Sequence, residues 1–197
     1  MLHSKQLTPK PVPSALAGYT VLELILVMII VGVVSAIAAP GWLQFVNVQR
    51  LNTAQSQIYQ AMLEAKSNAL REKRTWQVSI RQENEQVQWA VHRVDTDFIP
   101  PGVQWHNLNQ DIKVDMEKND QDVYETTLDS PGHKTITGPW RVQFNYKGNT
   151  NGQLGQITLI PKDHSPVQRC VYVSTLIGTL RMGYDQDKPN SRGKYCY

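Results

Sequence analysis

Apolar residues crowd into one early stretch of the chain and then spread out in two rhythms. Between Tyr19 and Ala39 the only strongly polar side chain is Glu23. About 21 helical residues rising ~1.5 Å each match the roughly 30 Å hydrocarbon core of a bilayer, so the stretch predicts a membrane-spanning helix. Pro40 cannot donate the helical hydrogen bond and crowds the preceding turn. The helix is therefore expected to bend or loosen around Ala39-Pro40-Gly41 without ending there. Beyond it, Leu51, Ile58, Met62, Ala65 and Ala69 recur at helical spacing among polar residues. That spacing predicts an amphipathic continuation to about Arg74, with one face against a sheet.

From Thr75 the period changes to two. Trp76, Val78 and Ile80, then Val87, Trp89 and Val91, alternate on either side of Glu83-Asn84-Glu85, the pattern of a hairpin. Residues 95 to 138 mix prolines, acids and amides and predict loops with at most a short strand. Alternation restarts at Trp140, Val142, Phe144 and Tyr146, turns at Gly148-Asn149-Thr150-Asn151-Gly152 and returns over Gln156–Ile160, which predicts a second hairpin. Residues 170–174 and 179–182 flank Leu176-Ile177-Gly178, and a polar tail runs to Tyr197. One helix with about six antiparallel strands makes an α+β head.

Composition refines this outline. A chain of 197 residues suits one ordinary domain with appendages and excludes two large ones. The net charge of +3 names no partner, but its distribution is uneven. Nine acids lie between Asp95 and Asp129 against Lys113 and Lys118, a solvated face. The last stretch carries Arg169, Arg181, Lys188, Arg192 and Lys194 against Asp185 and Asp187. Two cysteines, Cys170 and Cys196, fit one disulfide in an oxidising compartment. Closing that loop of about 27 residues contributes roughly 3.5 kcal/mol by chain entropy, and its reduction is expected to loosen residues 183–197 first. The five histidines, His3, His92, His106, His133 and His164, are scattered. No metal-ligand spacing, phosphate loop or nucleophile elbow appears, so neither an enzyme nor a cofactor is expected.

The apolar run admits three readings. A plain single-pass anchor is one. A secretory signal peptide cut after Ala36-Ile37-Ala38 is another, although the run is long for one and a glutamate is out of place in it. Lys5, Lys10 and His3 precede it without an acid, which keeps the N-terminus in the cytoplasm and sends the remainder across. Neither reading explains Glu23. An ionisable group in the membrane costs on the order of 2.5–3.5 kcal/mol at mid-depth and asks for a partner. A chain cut after Gly18 would place its new α-amino group at Tyr19, one helical turn before Glu23, or offer it to a neighbouring subunit's carboxylate.

The stretch Gly18-Tyr19-Thr20-Val21-Leu22-Glu23-Leu24 resembles the class III signal of type IV pilins and type II secretion pseudopilins. The resemblance implies cleavage after Gly18 by a prepilin peptidase, N-methylation of Tyr19, and pairing of Glu23 with a neighbour's terminal amine during filament assembly. Tyr19 stands where phenylalanine is commoner, and the leader is longer than the shortest ones. On this reading residues 1–18 are the leader and 19–50 the membrane and filament-core half of the helix, with Pro40 its flexible point. Residues 51–74 are the amphipathic half and 75–197 the extracytoplasmic head. The implied partners are the peptidase, other pilin or pseudopilin subunits and an inner-membrane assembly platform. The implied location is the bacterial inner membrane, then a pilus or pseudopilus.

Gly178-Thr179-Leu180-Arg181 after a strand is similar to a loose form of the glycine-arginine hairpin of GspH/FimT-type minor pilins and pseudopilins. Some FimT-like proteins bind DNA. That suggests an alternative role in DNA uptake through Arg169, Arg181, Lys188, Arg192 and Lys194, with phosphates on the cations and bases on neighbouring tyrosines. An anchored or secreted β-domain with another ligand is the remaining alternative.

Overall fold

The structure is a computed structural model describing residues 19–94, 97–129, 138–152, 154–163 and 165–197, with the backbone alone at 38–40 and 43. Gly18 and the leader lie outside the described residues. The chain divides into two units, Met1–Trp42 and Leu43–Tyr197.

In the first unit the chain enters helix α1 (Val21–Glu72), and every described side chain from Val21 to Ile37 is exposed. Among the described residues no helix is long and apolar enough to cross a membrane.

In the second unit the remainder of α1 turns Leu51, Ala54, Ile58, Ala61, Met62, Ala65 and Ala69 inward, all buried. Their spacing of three and four residues makes one continuous stripe. The helix stops at Glu72, two residues before the expected end, because Lys73 takes a left-handed conformation (φ 54°) that closes the helix in the position glycine usually holds.

Among the described residues eight strands follow, all paired antiparallel: β1 (Trp76–Glu83), β2 (Gln86–Arg93), β3 (His106–Asn107), β4 (Ile112–Val114), β5 (Trp140–Phe144), β6 (Gly155–Pro161), β7 (Arg169–Val173) and β8 (Leu180–Tyr184). They form two four-stranded sheets, ordered β3-β2-β1-β5 and β4-β6-β7-β8. In the first sheet Val78 lies between Val91 and Val142, and Ile80 between Trp89 and Trp140, so period two puts these side chains on one face. In the second, Ile157 pairs with Val171 and Val173 with Leu180. These faces and the α1 stripe share one hydrophobic cluster.

The β1–β2 hairpin matches the sequence pattern. Asn84 and Glu85 both have positive φ (49° and 60°), the geometry of a two-residue type I′ turn. The second expected hairpin does not form. β5 pairs with β1, and β6 pairs with β4 and β7. A single bridge, Phe144 with Thr150, begins the return. Thr150 N–H then bonds the Leu176 carbonyl at 2.9 Å, and the chain crosses to the other sheet. The β7–β8 hairpin around Leu176-Ile177-Gly178 forms as expected.

Side chains of α1 are tied to the head along their length. Arg50 meets Asp111 at 2.7 Å. Gln55, itself buried, donates to the carbonyls of Cys170 (2.8 Å) and Gly183 (2.7 Å). Lys66 donates to the Gly178 carbonyl at 2.8 Å, and Glu72 pairs with Arg93 at 2.7 Å.

Candidate functional site

Two places carry the residues singled out from the sequence, the first turn of α1 and the C-terminal segment over the second sheet. At the first, the Thr20 hydroxyl accepts from Glu23 N–H at 3.2 Å, and Leu24 N–H reaches the Thr20 carbonyl at the same distance. Thr20 is thus the N-cap and Glu23 the third helical residue, the spacing of a capping box. A carboxylate in the first turn also faces the positive end of the helix dipole. The signal for this cap is the Thr-x-x-Glu spacing of Thr20-Val21-Leu22-Glu23. It sets Glu23 in the first turn of α1, where its backbone N–H meets the Thr20 hydroxyl. Tyr19 stands exposed just before the helix. Pro40 lies within α1, and its side chain is outside the described set.

At the second place Cys170 and Cys196 form a disulfide with their Cα atoms 6.1 Å apart. Cys170 projects from the outer face of the second sheet, where register sets it beside Thr158 and Gly183. A Cβ on Gly183 would come within 2.7 Å of the Cys170 sulfur and 3.0 Å of Tyr197, so only glycine fits there. The segment also pairs with β8 through Tyr184 N–H to the Tyr197 carbonyl and the reverse bond, each 3.2 Å.

Glu125 organises this segment from beneath. Its carboxylate, 2% exposed, accepts from Tyr195 N–H (2.7 Å), Cys196 N–H (3.4 Å), Asn119 Nδ2 (2.9 Å) and Gln156 Nε2 (3.2 Å). Four donors around one buried carboxylate supply what burial of the charge requires. Lys194 is buried too and donates to the Glu125 carbonyl (2.8 Å) and Thr127 Oγ1 (3.0 Å). Desolvation lowers its pKa to about 8, offset in part by Glu125 and reinforced by the nearby charge of Arg192.

The five cations expected as one patch are not presented together. Arg169 pairs with Leu159 in register, which turns it to the core face of the sheet. There it bonds Asn52 on α1 at 2.8 Å and forms an ion pair with Asp185. Lys194 points inward. Arg181, Lys188 and Arg192 are exposed. The sequence shows which residues are charged, but the register decides which face receives them.

A further polar cluster had no sequence signal. On the outer face of the first sheet a chain of donors runs from Asn151 to Gln143 (3.2 Å), to Gln77 (2.8 Å), to Ser79 (2.6 Å). Ser79 contacts His92 Nε2 at 2.9 Å, and His92 Nδ1 lies 2.8 Å from the Arg93 carbonyl. A carbonyl only accepts, so Nδ1 carries the proton and Nε2 accepts from Ser79. Burial lowers the His92 pKa, with the Arg93 carbonyl opposing. Among the described residues no group of three or more histidine, cysteine or acidic side chains is gathered to hold a metal.

No protein-family model and no curated protein matches the chain. Among solved structures it is similar to the type IV minor pilin FimU of Pseudomonas aeruginosa strain PAO1. The identity is 11% over 70% of this chain and 91% of that one, with a TM-score of 0.48. A second crystal form of FimU gives 11% identity, 67% and 91% coverage, and 0.45. The chain is also similar to the minor pseudopilin EpsH of the type 2 secretion system of Vibrio cholerae, at 15% identity over 68% of this chain and 95% of that one, with a TM-score of 0.44.

Proposed function

We propose that this chain is a type IV pilin-like subunit, a minor pilin or pseudopilin, made with a leader ending at Gly18 and built into a filament through its N-terminal helix. The observation that carries the reading is the helix from Val21 to Ile37, whose every described side chain is exposed and which opens on a capped turn containing Glu23. An apolar surface that continuous needs a cover, either lipid or the same helix of neighbouring subunits.

Before assembly the cover is the inner membrane, which the segment to Ala39 spans. After assembly it is other subunits, with Glu23 facing a neighbour's methylated Tyr19 amine, a pairing that offsets the cost of the buried carboxylate. Pro40 gives the helix a place to loosen as it moves between the two. The head is displayed outside the cytoplasm, where the Cys170–Cys196 bond persists. The protein's partners are the peptidase, fellow subunits and the assembly platform, and its work is structural, not catalytic.

The test is the mass of the N-terminal peptide recovered from membranes of a host with and without a prepilin peptidase. A chain starting at methylated Tyr19 only when the peptidase is present is the expected result. A start at Ala39, or an intact leader in both hosts, overturns the reading.

A further inference from the structure

The C-terminal segment does not lie flat on the second sheet. Between them is a cavity of about 370 Å³ whose walls include Thr127, Gln156, Tyr172, Ser174, Arg192 and Lys194. Its floor is the outer sheet face, where Gln156 and Tyr172 are paired in register. Its rim holds Asn190 and Ser191, fixed by Asn190 accepting from the N–H groups of Arg192 (2.9 Å) and Lys194 (3.2 Å).

Charge at this cavity is unbalanced. Lys194 and Arg192 both line it, and the charge of Arg192 reaches Lys194. The one acid coupled to Lys194 is Glu125, and its carboxylate is already engaged by four donors. Arg192 has no ion pair among the described residues. Two cations held together beside a partly desolvated cavity repel one another, an arrangement that a bound anion relieves. The ammonium of Lys194 uses two of its three donors on the Glu125 carbonyl and Thr127. The third donor, the Arg192 guanidinium and the Tyr172 hydroxyl are groups of the kind that recognise phosphate or carboxylate oxygens, whereas the Ser174 hydroxyl is already committed to the Thr179 carbonyl at 3.1 Å.

We propose that this cavity is a binding site for a small ligand bearing a phosphate or carboxylate group, with Arg192 as the rim cation and Lys194 as the buried donor. The size of the cavity suits a compact group, and the site stands independently of the filament role. An extended polyanion is the competing ligand class. The inward turn of Arg169 argues against it, because it breaks the surface row of cations that a nucleic-acid strand would follow.

The experiment is a calorimetric titration of the full chain in detergent with inorganic phosphate and, separately, with acetate, at constant ionic strength set by chloride. The same titrations use Arg192→Gln and, as a control at an exposed cation, Lys188→Gln. In parallel, acylation of lysines at pH 8 is read by peptide mass spectrometry with and without phosphate. The expected result is saturable binding in the millimolar range, weakened about tenfold or more in Arg192→Gln and unchanged in Lys188→Gln. Added phosphate should protect Lys194 but not Lys188. Saturation by phosphate alone assigns a phosphoryl ligand, and saturation by acetate assigns a carboxylate. Binding that fails to saturate, equal loss in both variants, or uptake of a single-stranded oligonucleotide without saturation by either small anion overturns the proposal.

Discussion

Glu125 shows how far a single side chain can set the arrangement of a distant segment. It sits in the acid-rich stretch that reads as a solvated surface, and nothing local in the sequence separates it from its exposed neighbours Asp120 and Asp122. Only the fold brings the amides of Tyr195 and Cys196 onto its carboxylate. Glu125→Ala should therefore cost about 3 kcal/mol or more in urea unfolding with the disulfide intact, since it leaves four donors without their acceptor and Lys194 without its nearest acid. A surface acid would cost almost nothing. For the same reason the C-terminal segment should hold its place after reduction better than the disulfide alone suggests. His92 gives a pH dependence of definite sign. Its folded pKa lies below the ordinary value near 6.5, so the unfolded chain takes up the proton first on acidification. This contribution is neutral above that value and destabilising below it, growing until the folded pKa is passed. Urea midpoints at pH 7.5 and 5.5 should differ more in the wild type than in His92→Asn, and equal differences would remove His92 from the account.

The elements divide into those set by neighbouring residues and those set by distant ones. The helix stripe and the β1–β2 hairpin are local, and both were legible, because a period and a two-residue turn are written in consecutive positions. The Cys170–Cys196 pair was legible for a different reason, since no other cysteine competes. The partners of β5 and β6 were not. Period two tells which face a residue occupies and says nothing about which strand lies beside it, so a turn-like Gly148–Gly152 stretch was expected to join strands that belong to separate sheets. The same limit hid the site, because Arg169 and Arg181 look alike in the sequence and lie on opposite faces of their sheet. The hairpin turn offers a direct check. Glu85 adopts φ 60°, a conformation that strains a residue with a Cβ, and its contact with Lys162 is 3.7 Å long with the Glu85 side chain mostly exposed. Glu85→Gly should stabilise the head by about 1 kcal/mol in thermal or urea unfolding, the relieved strain outweighing the weak ion pair.

For the whole molecule, what matters is how the long helix is attached to the head it carries. Arg50, Gln55, Lys66 and Glu72 engage the head at successive points along α1, beside the buried stripe from Leu51 to Ala69. A pull applied to the N-terminal end of such a helix, as in a filament under tension, loads these contacts in shear. Contacts loaded in shear share the force and give way together, whereas a hairpin pulled from one end unzips one pair at a time. The head should therefore release the helix at one force across several rungs, one of which, Gln55, hangs on the carbonyl of Cys170 and is backed by its bond to Cys196.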